Sequence, residues 1–258
     1  MAAVALITGG GGLLGQQVLE HWGVAGLEPM LVDRDTHDLL TPGTGRRLVE
    51  TVRPTVVVHL AWTASGTPGY REDPSNDRWI HASLELRDAC RSVGARFCGT
   101  GTAVDQAPPT DAYSTAKAQL RRALDDDISA GAITWLRPYY VIDPDHRRPD
   151  LVGRALAALA AGTSVMLRTP TSLHDFIHAA DAACAIVVAL REKMMGEVSL
   201  GSGTLRTVSQ LVEALGVPWA PTAEEAPPAA HVHEAAVVCR LRAHGWTPTK
   251  TEELFRRE

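Results

Sequence analysis

Two groups of residues in this chain have types and spacings that can do chemistry. The first is Thr8-Gly9-Gly10-Gly11-Gly12-Leu13-Leu14-Gly15, which follows a short apolar run and precedes residues at helical spacing, Leu14, Val18 and Trp22. Residues without a Cβ let a backbone turn tightly and come close to a pyrophosphate. The helix behind the turn offers unpaired N–H groups and the positive end of its dipole. Asp33, at the end of the next apolar run, stands where a carboxylate would accept hydrogen bonds from an adenosine ribose diol. Its charge repels a 2′-phosphate, so NAD(H) is the expected cofactor. Arg34 beside it can pair with that phosphate, which keeps NADP(H) open.

The second group is Tyr113-Ser114-Thr115-Ala116-Lys117. On a helix, side chains four residues apart share a face, so a phenol and an ammonium meet. A free phenol, with a pKa of ~10, is a poor acid or base at neutral pH. A nearby ammonium, and the positive charge of an oxidised nicotinamide, favour the phenolate and lower that pKa. Lys117 can also hold the nicotinamide ribose. The Tyr–Lys spacing alone is common in amphipathic helices. After a glycine-rich turn in chain order, it reads as catalytic.

These residues need a frame, and the apolar pattern supplies one. Short runs read as strands at Val4–Thr8, Pro29–Val32, Val56–Val58, Ala95–Cys98 and Ile133–Leu136. Between them, helical spacing spans Leu13–Trp22, Arg46–Val52, Ser75–Val93 and Ala112–Ile128. Strands alternating with helices imply βαβ units and a parallel sheet of about seven strands. After Pro138 the pattern loosens. Helices are expected at Leu151–Ala161, Ala179–Arg191 and Thr207–Leu215, strands at Val165–Leu167 and Val198–Leu200, and a loop at Pro218–Ala230.

Composition bounds the rest. The 258 residues carry a net charge of −5, with 45% hydrophobic and 21% charged residues, as in ordinary globular proteins. Without a basic tract, nucleic-acid binding has no support. No apolar run is long enough to span a bilayer. Met1 to Gly12 lacks a basic n-region, so a signal peptide is not expected. Cys90, Cys98, Cys184 and Cys239 are dispersed, with no C-x-x-C pair, which points to reduced thiols and a cytoplasmic location. His231 and His233 alternate, but no third ligand accompanies them, so no metal is expected.

Taken in order, the motifs resemble the extended short-chain dehydrogenase/reductase superfamily, in its NAD-dependent epimerase/dehydratase branch. Gly9, Gly12 and Gly15 match T-G-x-x-G-x-x-G. Asp38-Leu39 resembles the family's adenine-contacting acidic dipeptide, and His59-Leu60-Ala61-Trp62 resembles its H-L-A-A segment beside the cofactor. Arg96 to Thr102 is similar to the strand that delivers a catalytic Ser or Thr. Leu136-Arg137-Pro138-Tyr139-Tyr140-Val141 resembles L-R-P-x-x-V. Asp175-Phe176-Ile177-His178, with Asp181, resembles D-F-I-H-V-x-D, and Gly201-Ser202-Gly203 and Gly245-Trp246-x-Pro248 are similar to C-terminal marks.

The resemblance implies an α/β fold: a Rossmann-type doubly wound parallel sheet with a small interleaved C-terminal substrate lobe, as one domain. Residues 1–137 would be mainly dinucleotide-binding and 138–258 mainly substrate-binding, with 175–202 returning to the core. It implies that Tyr113 transfers the proton, that Lys117 assists it, and that Thr102, or Thr100 after a short shift, bonds the substrate oxygen. Gly9, Gly12, Leu14, Gly15, Asp33, Arg34, Asp38, Leu39, Leu60, Ala61 and Tyr140, with Tyr113 and Lys117, are the cofactor candidates. Trp62, Thr100, Tyr139, Arg168 and His174 are the substrate candidates, and Arg240 is a further candidate for a diphosphate. The chain departs from the family in its short loop Ala103–Ala112, in His174 where many members have Arg, and in Asp143 before Pro144. Thr102 is followed by Ala103-Val104, not by the acidic pair of sugar dehydratases. The activity expected is reduction of a keto group, the 4-keto group of a nucleotide-activated deoxysugar. A nucleotide-sugar epimerase and a non-catalytic NAD(P) sensor are the alternatives. A homodimer is expected.

Overall fold

A computed structural model describes residues 3–32, 34–63, 67–145, 150–223 and 234–256. The strands are β1 (Ala3–Thr8), β2 (Leu27–Val32), β3 (Val56–His59), β4 (Arg96–Thr100), β5 (Thr134–Pro138), β6 (Tyr140–Ile142), β7 (Val165–Leu167), β8 (Leu173–His178), β9 (Gly196–Leu200), β10 (Leu205–Thr207) and β11 (Trp219–Pro221). The α-helices are α1 (Leu13–Glu20), α2 (Thr44–Val52), α3 (Ser75–Val93), α4 (Ala112–Ala123), α5 (Asp125–Ser129), α6 (Leu151–Ala160), α7 (Ala179–Arg191), α8 (Val208–Ala214), α9 (Cys239–Arg242) and α10 (Thr249–Phe255).

Six strands form one parallel sheet in the order β2-β1-β3-β4-β5-β9. Successive side chains of a strand point to opposite faces, and a parallel sheet buries both. Ala5 and Ile7 accordingly pack on one side with Val18 of α1 and Ile186 of α7. Leu6 packs on the other with Leu48 of α2, Leu86 of α3 and Leu120 of α4. A third core, around Val152, Phe176, Val208 and Leu211, belongs to the C-terminal lobe. That lobe carries a three-stranded sheet, β10-β8-β6, and a two-stranded pair, β11-β7.

The structure amends several expectations. Among the described residues the main sheet has six strands, because Val165–Leu167 pairs with β11 in the lobe instead of joining it, and Leu173–His178, within the segment expected to return to the core, pairs with β6 and β10. The helix expected over Ala112–Ile128 is two helices that break at Leu124, whose φ of −107° is not helical. Trp219–Pro221 is a strand, held beside β7, where a loop is expected. The three-residue strands β6 and β10 and the short helices α9 and α10 escape detection, because so few residues show no period.

Candidate functional site

The carboxyl ends of β1, β3, β4 and β5 and the lobe strands enclose one cavity of ≈ 1270 Å³. This exceeds the ~1000 Å³ at the upper end of ordinary ligand pockets, so it has room for two ligands side by side. Gly9, Gly12, Leu14, Gly15, Leu60, Trp62, Thr100, Thr102, Tyr113, Lys117, Tyr139, Tyr140, Arg168 and His174 all line it.

The glycine-rich turn is glycine for steric reasons at two positions. Gly9 has φ +74°, and a Cβ there would lie 2.7 Å from the Ala61 nitrogen. A Cβ on Gly15 would lie 2.3 Å from the Gly9 carbonyl oxygen, so α1 and the turn touch backbone to backbone. Gly12 caps α1 in extended conformation and offers the helix start no side-chain acceptor. The first N–H groups of α1 therefore lie at the cavity edge, where an anion can take them. Such a cradle fits a pyrophosphate.

Tyr113 and Lys117 stand one turn apart on α4. The N-cap of that helix, Asp111, accepts from Ser114 N–H at 2.7 Å, and Ser114 Oγ accepts from Asp111 N–H in return. This capping box fixes where the helix, and with it the phenol, begins. Arg71, on the short turn Tyr70–Glu72, pairs with Asp111 at 2.5 Å. The Tyr70 ring meets the Tyr113 ring edge-on at 5.2 Å. Contrary to the lowering expected from the Tyr–Lys spacing, the desolvated surroundings of the Tyr113 hydroxyl raise its pKa well above the usual phenol range, and Lys117 is not among the groups that shift it. The neighbouring Thr102 side chain partly offsets that rise, Tyr70 and Asp105 add to it, and Arg71 opposes it.

Lys117 is 3% exposed. Its Nζ donates to the Thr100 carbonyl at 2.9 Å and lies 3.6 Å from the centre of the Trp62 ring. Burial lowers its pKa to about 7, and Asp105 works against that shift. Trp62 is itself fixed, with its Nε1 donating to Asn76 Oδ1 at 2.8 Å and its ring stacked on Trp79. The indole face thus supplies part of what water would give the ammonium.

His59 sits behind this group. Its Nδ1 is 2.7 Å from Thr8 Oγ1 and its Nε2 is 2.9 Å from Ser83 Oγ. Burial, with a smaller contribution from Lys117, lowers its pKa to about 3, so it is a neutral strut that ties β3 to β1 and α3.

Several candidates lie elsewhere. Leu39 is packed in the core beneath β2, with Leu40 and Leu48, and is 6% exposed. Asp38 is spent on a turn, accepting from Leu40 N–H at 3.1 Å, and faces a smaller pocket beside α2. An acidic-apolar pair in the loop between β2 and α2 also suits a plain turn. Arg34 is exposed and outside the cavity lining. Ala61 meets the site through its backbone, donating N–H to Thr8 Oγ1 at 3.3 Å. Arg240 donates to the Glu197 and Met195 carbonyls and does not line the cavity. Trp62 is a floor for Lys117 as well as a cavity wall. Asp33, His231 and His233 lie outside the described residues. Sequence reasoning misses Tyr70, Arg71 and Asp105, none of which belongs to a spacing motif.

Asp143, Asp145 and His178 also come together, their ligand atoms within 4.8 Å of one another and away from the cavity. His178 Nδ1 accepts from Ala180 N–H and Asp143 Oδ1 from Asp145 N–H, so these two already serve a cap and a turn. Among the described residues no helix is long and apolar enough to cross a membrane.

Known proteins share this fold. Residues 5–201 match a family model described as the NAD dependent epimerase/dehydratase family. Among solved structures, the chain is similar to the UDP-glucose 4-epimerase of Thermus thermophilus in complex with NAD. That pair is 25% identical, with a TM-score of 0.72, over 98% of this chain and 99% of that one. It is also similar in fold to the UDP-N-acetylglucosamine 4-epimerase of Methanobrevibacter ruminantium, at 20% identity and TM-score 0.76 over 99% and 97% of the two chains. A GDP-L-fucose synthetase of Naegleria fowleri bound to NADP shares the fold at 17% identity and TM-score 0.74 over 96% and 90%. Comparison with curated protein sequences returned no match.

Proposed function

Because this chain belongs to the NAD dependent epimerase/dehydratase family, we propose that it reduces a keto group on a nucleotide-activated sugar, in particular the 4-keto group of a deoxysugar. The observation that carries this reading is that the hydroxyls of Thr102 and Tyr113 line, with Lys117, the same cavity as the glycine-rich turn. The turn at Gly9–Gly15 and the uncapped start of α1 suit the pyrophosphate of NAD(H) or NADP(H), and the exposed Arg34 is the group available to a 2′-phosphate. A reduced nicotinamide bound there supplies the hydride.

The chain's own groups supply the rest. The Thr102 hydroxyl donates to the carbonyl oxygen and polarises it. The phenol of Tyr113 gives that oxygen its proton as the carbon becomes a secondary alcohol. The raised pKa of Tyr113 keeps it a phenol, which is the form a reductase needs at the start of its cycle. Lys117, over Trp62, is placed to hold the ribose edge and to compensate the phenolate left behind. On the lobe side of the cavity, Arg154 and Arg168 are exposed and offer planar forks to a substrate diphosphate. His174, its ring 4.0 Å from that of Tyr140, is a wall for the sugar. A dimer through the helices around Tyr113 belongs to the same reading and is tested by sedimentation.

The UDP-sugar 4-epimerases among the structural neighbours favour a second reading, in which one carbon is oxidised and reduced again by a retained cofactor. Incubation of the purified protein with UDP- and dTDP-sugars separates the two. The reductase consumes one NAD(P)H per sugar and makes no product without it. The epimerase interconverts sugars with no dinucleotide added. Dinucleotide binding with turnover of no sugar or simple ketone would assign the chain to a sensor role.

A further inference from the structure

Beside the Thr102–Tyr113–Lys117 group lies a buried carboxylate that the reaction just described does not use. Asp105 is 3% exposed, and its Oδ2 accepts from Thr102 N–H at 3.1 Å and from Trp135 Nε1 at 3.2 Å. Asp105 N–H in turn donates to the Thr102 carbonyl at 3.2 Å, closing a tight turn. Its other oxygen, Oδ1, is buried without a hydrogen bond and lies 3.3 Å from Arg137 Nε. A surface-style Asx turn needs no buried oxygen, and an unsatisfied one costs the fold.

The backbone is shaped around this carboxylate. A Cβ on Gly101 would lie 2.2 Å from Asp105 Oδ2 and 2.6 Å from Trp135 Nε1, so glycine is required for the carboxylate to nest there. On the preceding residue, the Thr100 carbonyl takes the Lys117 ammonium. Three consecutive residues, Thr100 to Thr102, are thus held at one end by a buried cation and at the other by a buried anion. Arg137 adds to the hold by donating Nη2 to the Ala103 carbonyl at 2.8 Å.

We propose that Asp105 is a positioning residue of this site: nested against Gly101, it fixes the turn that carries Thr102 and is the counter-charge that keeps Lys117 an ammonium. The proposal rests on the reading of Thr102, Tyr113 and Lys117 as the working groups. Other titratable groups face the pair from every side: His59 from β3 and Tyr113 from α4 toward Lys117, and Arg137 from β5, Glu197 from β9 and Tyr113 toward Asp105. His59 is neutral at working pH. Glu197 is shared by Arg121 and Arg137. Asp105 is the carboxylate bonded to the same three-residue segment, Thr100 to Thr102, that takes the Lys117 ammonium, and its charge opposes the loss of the Lys117 proton on burial.

The test uses the full chain with neither substrate nor dinucleotide. Its lysines are Lys117, Lys193 and Lys250, so ¹³C labelling of lysine gives a sparse NMR spectrum, with the Lys117 signal assigned by its loss in Lys117→Met. In Asp105→Asn, which keeps an acceptor for Thr102 N–H and Trp135, the Lys117 titration midpoint moves to lower pH than in the native protein. Gly101→Ala, which evicts the carboxylate but leaves it in the chain, moves the midpoint the same way. In steady-state assays kcat falls about tenfold in Asp105→Asn while KM holds, the split expected when a reacting group is misplaced and substrate binding is untouched. An unchanged Lys117 midpoint in both folded variants overturns the proposal. Loss of cooperative unfolding in both assigns the carboxylate to the fold alone and overturns it as well. If no sugar is turned over but the midpoint moves, the functional reading fails and the counter-charge stands.

Discussion

Two regions of this molecule bury carboxylates, and they treat them oppositely. In the lobe, Asp175 is fully buried and accepts from Ser202 N–H, Ser202 Oγ, Gly203 N–H and Ala236 N–H, at 2.6 to 2.9 Å. Asp181 accepts from Thr251 N–H and Oγ at 2.6 Å and from Lys250 N–H at 3.2 Å. Both are saturated by donors from chain segments 27 to 70 residues away, and they stitch the C-terminal segments to β8 and α7. By the cavity, Asp105 has one oxygen that takes no hydrogen bond and only an ion pair with Arg137 at 3.3 Å, and Lys117 gives one hydrogen bond and rests on an indole face. A buried charge whose bonds are complete stabilises the fold. One left incomplete costs stability and is free to respond to a ligand or a proton.

Substitutions can break that contrast. The largest effect is expected at the incomplete site: Tyr113→Phe lowers turnover by about 10²–10⁴-fold while calorimetry finds dinucleotide binding unchanged. Turnover at the native rate would remove the phenol from the reaction. At the saturated site the loss falls on the fold. Asp175→Ala leaves buried N–H groups of Ser202, Gly203 and Ala236 without an acceptor and lowers stability by about 3–5 kcal/mol in urea unfolding. An equal loss of turnover in the still-folded fraction would erase the distinction between the regions.

Protonation sharpens the contrast further. Unfolded, Lys117 holds its proton up to its ordinary 10.5; folded, it holds it only up to about 7. Between those values the unfolded chain binds more protons, so stability rises with pH by up to ~1.4 kcal/mol per unit. Lys117→Met abolishes that rise between pH 7 and 10 and makes the protein more stable near pH 7. A slope identical to the native one shows the ammonium to be solvated. The smallest effect separates two glycines of one turn. Gly15→Ala, whose Cβ meets the Gly9 carbonyl, weakens dinucleotide binding by roughly tenfold, about 1.4 kcal/mol. Gly11→Ala, where a Cβ meets nothing within 4 Å, leaves it unaltered.

What could be read in advance follows the range of the interaction. The strand–turn–helix around Gly9–Gly15 and the Tyr113–Lys117 pair are local devices, written within a few residues, and the cavity takes in both. The length of Ser75–Val93 also matches its expected helix to the residue, since its apolar stripe is long enough to show a period. Asp38-Leu39 shows the opposite case. The pattern is local, but burial of Leu39 in the core beneath β2 is a packing outcome that no dipeptide encodes. Trp62 follows the same rule: its partners Asn76 and Lys117 lie 14 and 55 residues on.

Residue order alone settled the α/β alternation, the glycine cradle and the phenol–ammonium pair, because each depends on backbone sterics or helical spacing over a handful of positions. Only the folded chain decided that Lys117 sits on an indole and gives its hydrogen bond to the Thr100 carbonyl, that Asp105 nests against Gly101, and that Leu173–His178 is a strand of the lobe sheet. Most of those contacts join segments tens of residues apart. Their energies depend on how much water the intervening layers exclude, which no stretch of sequence specifies until the layers have packed.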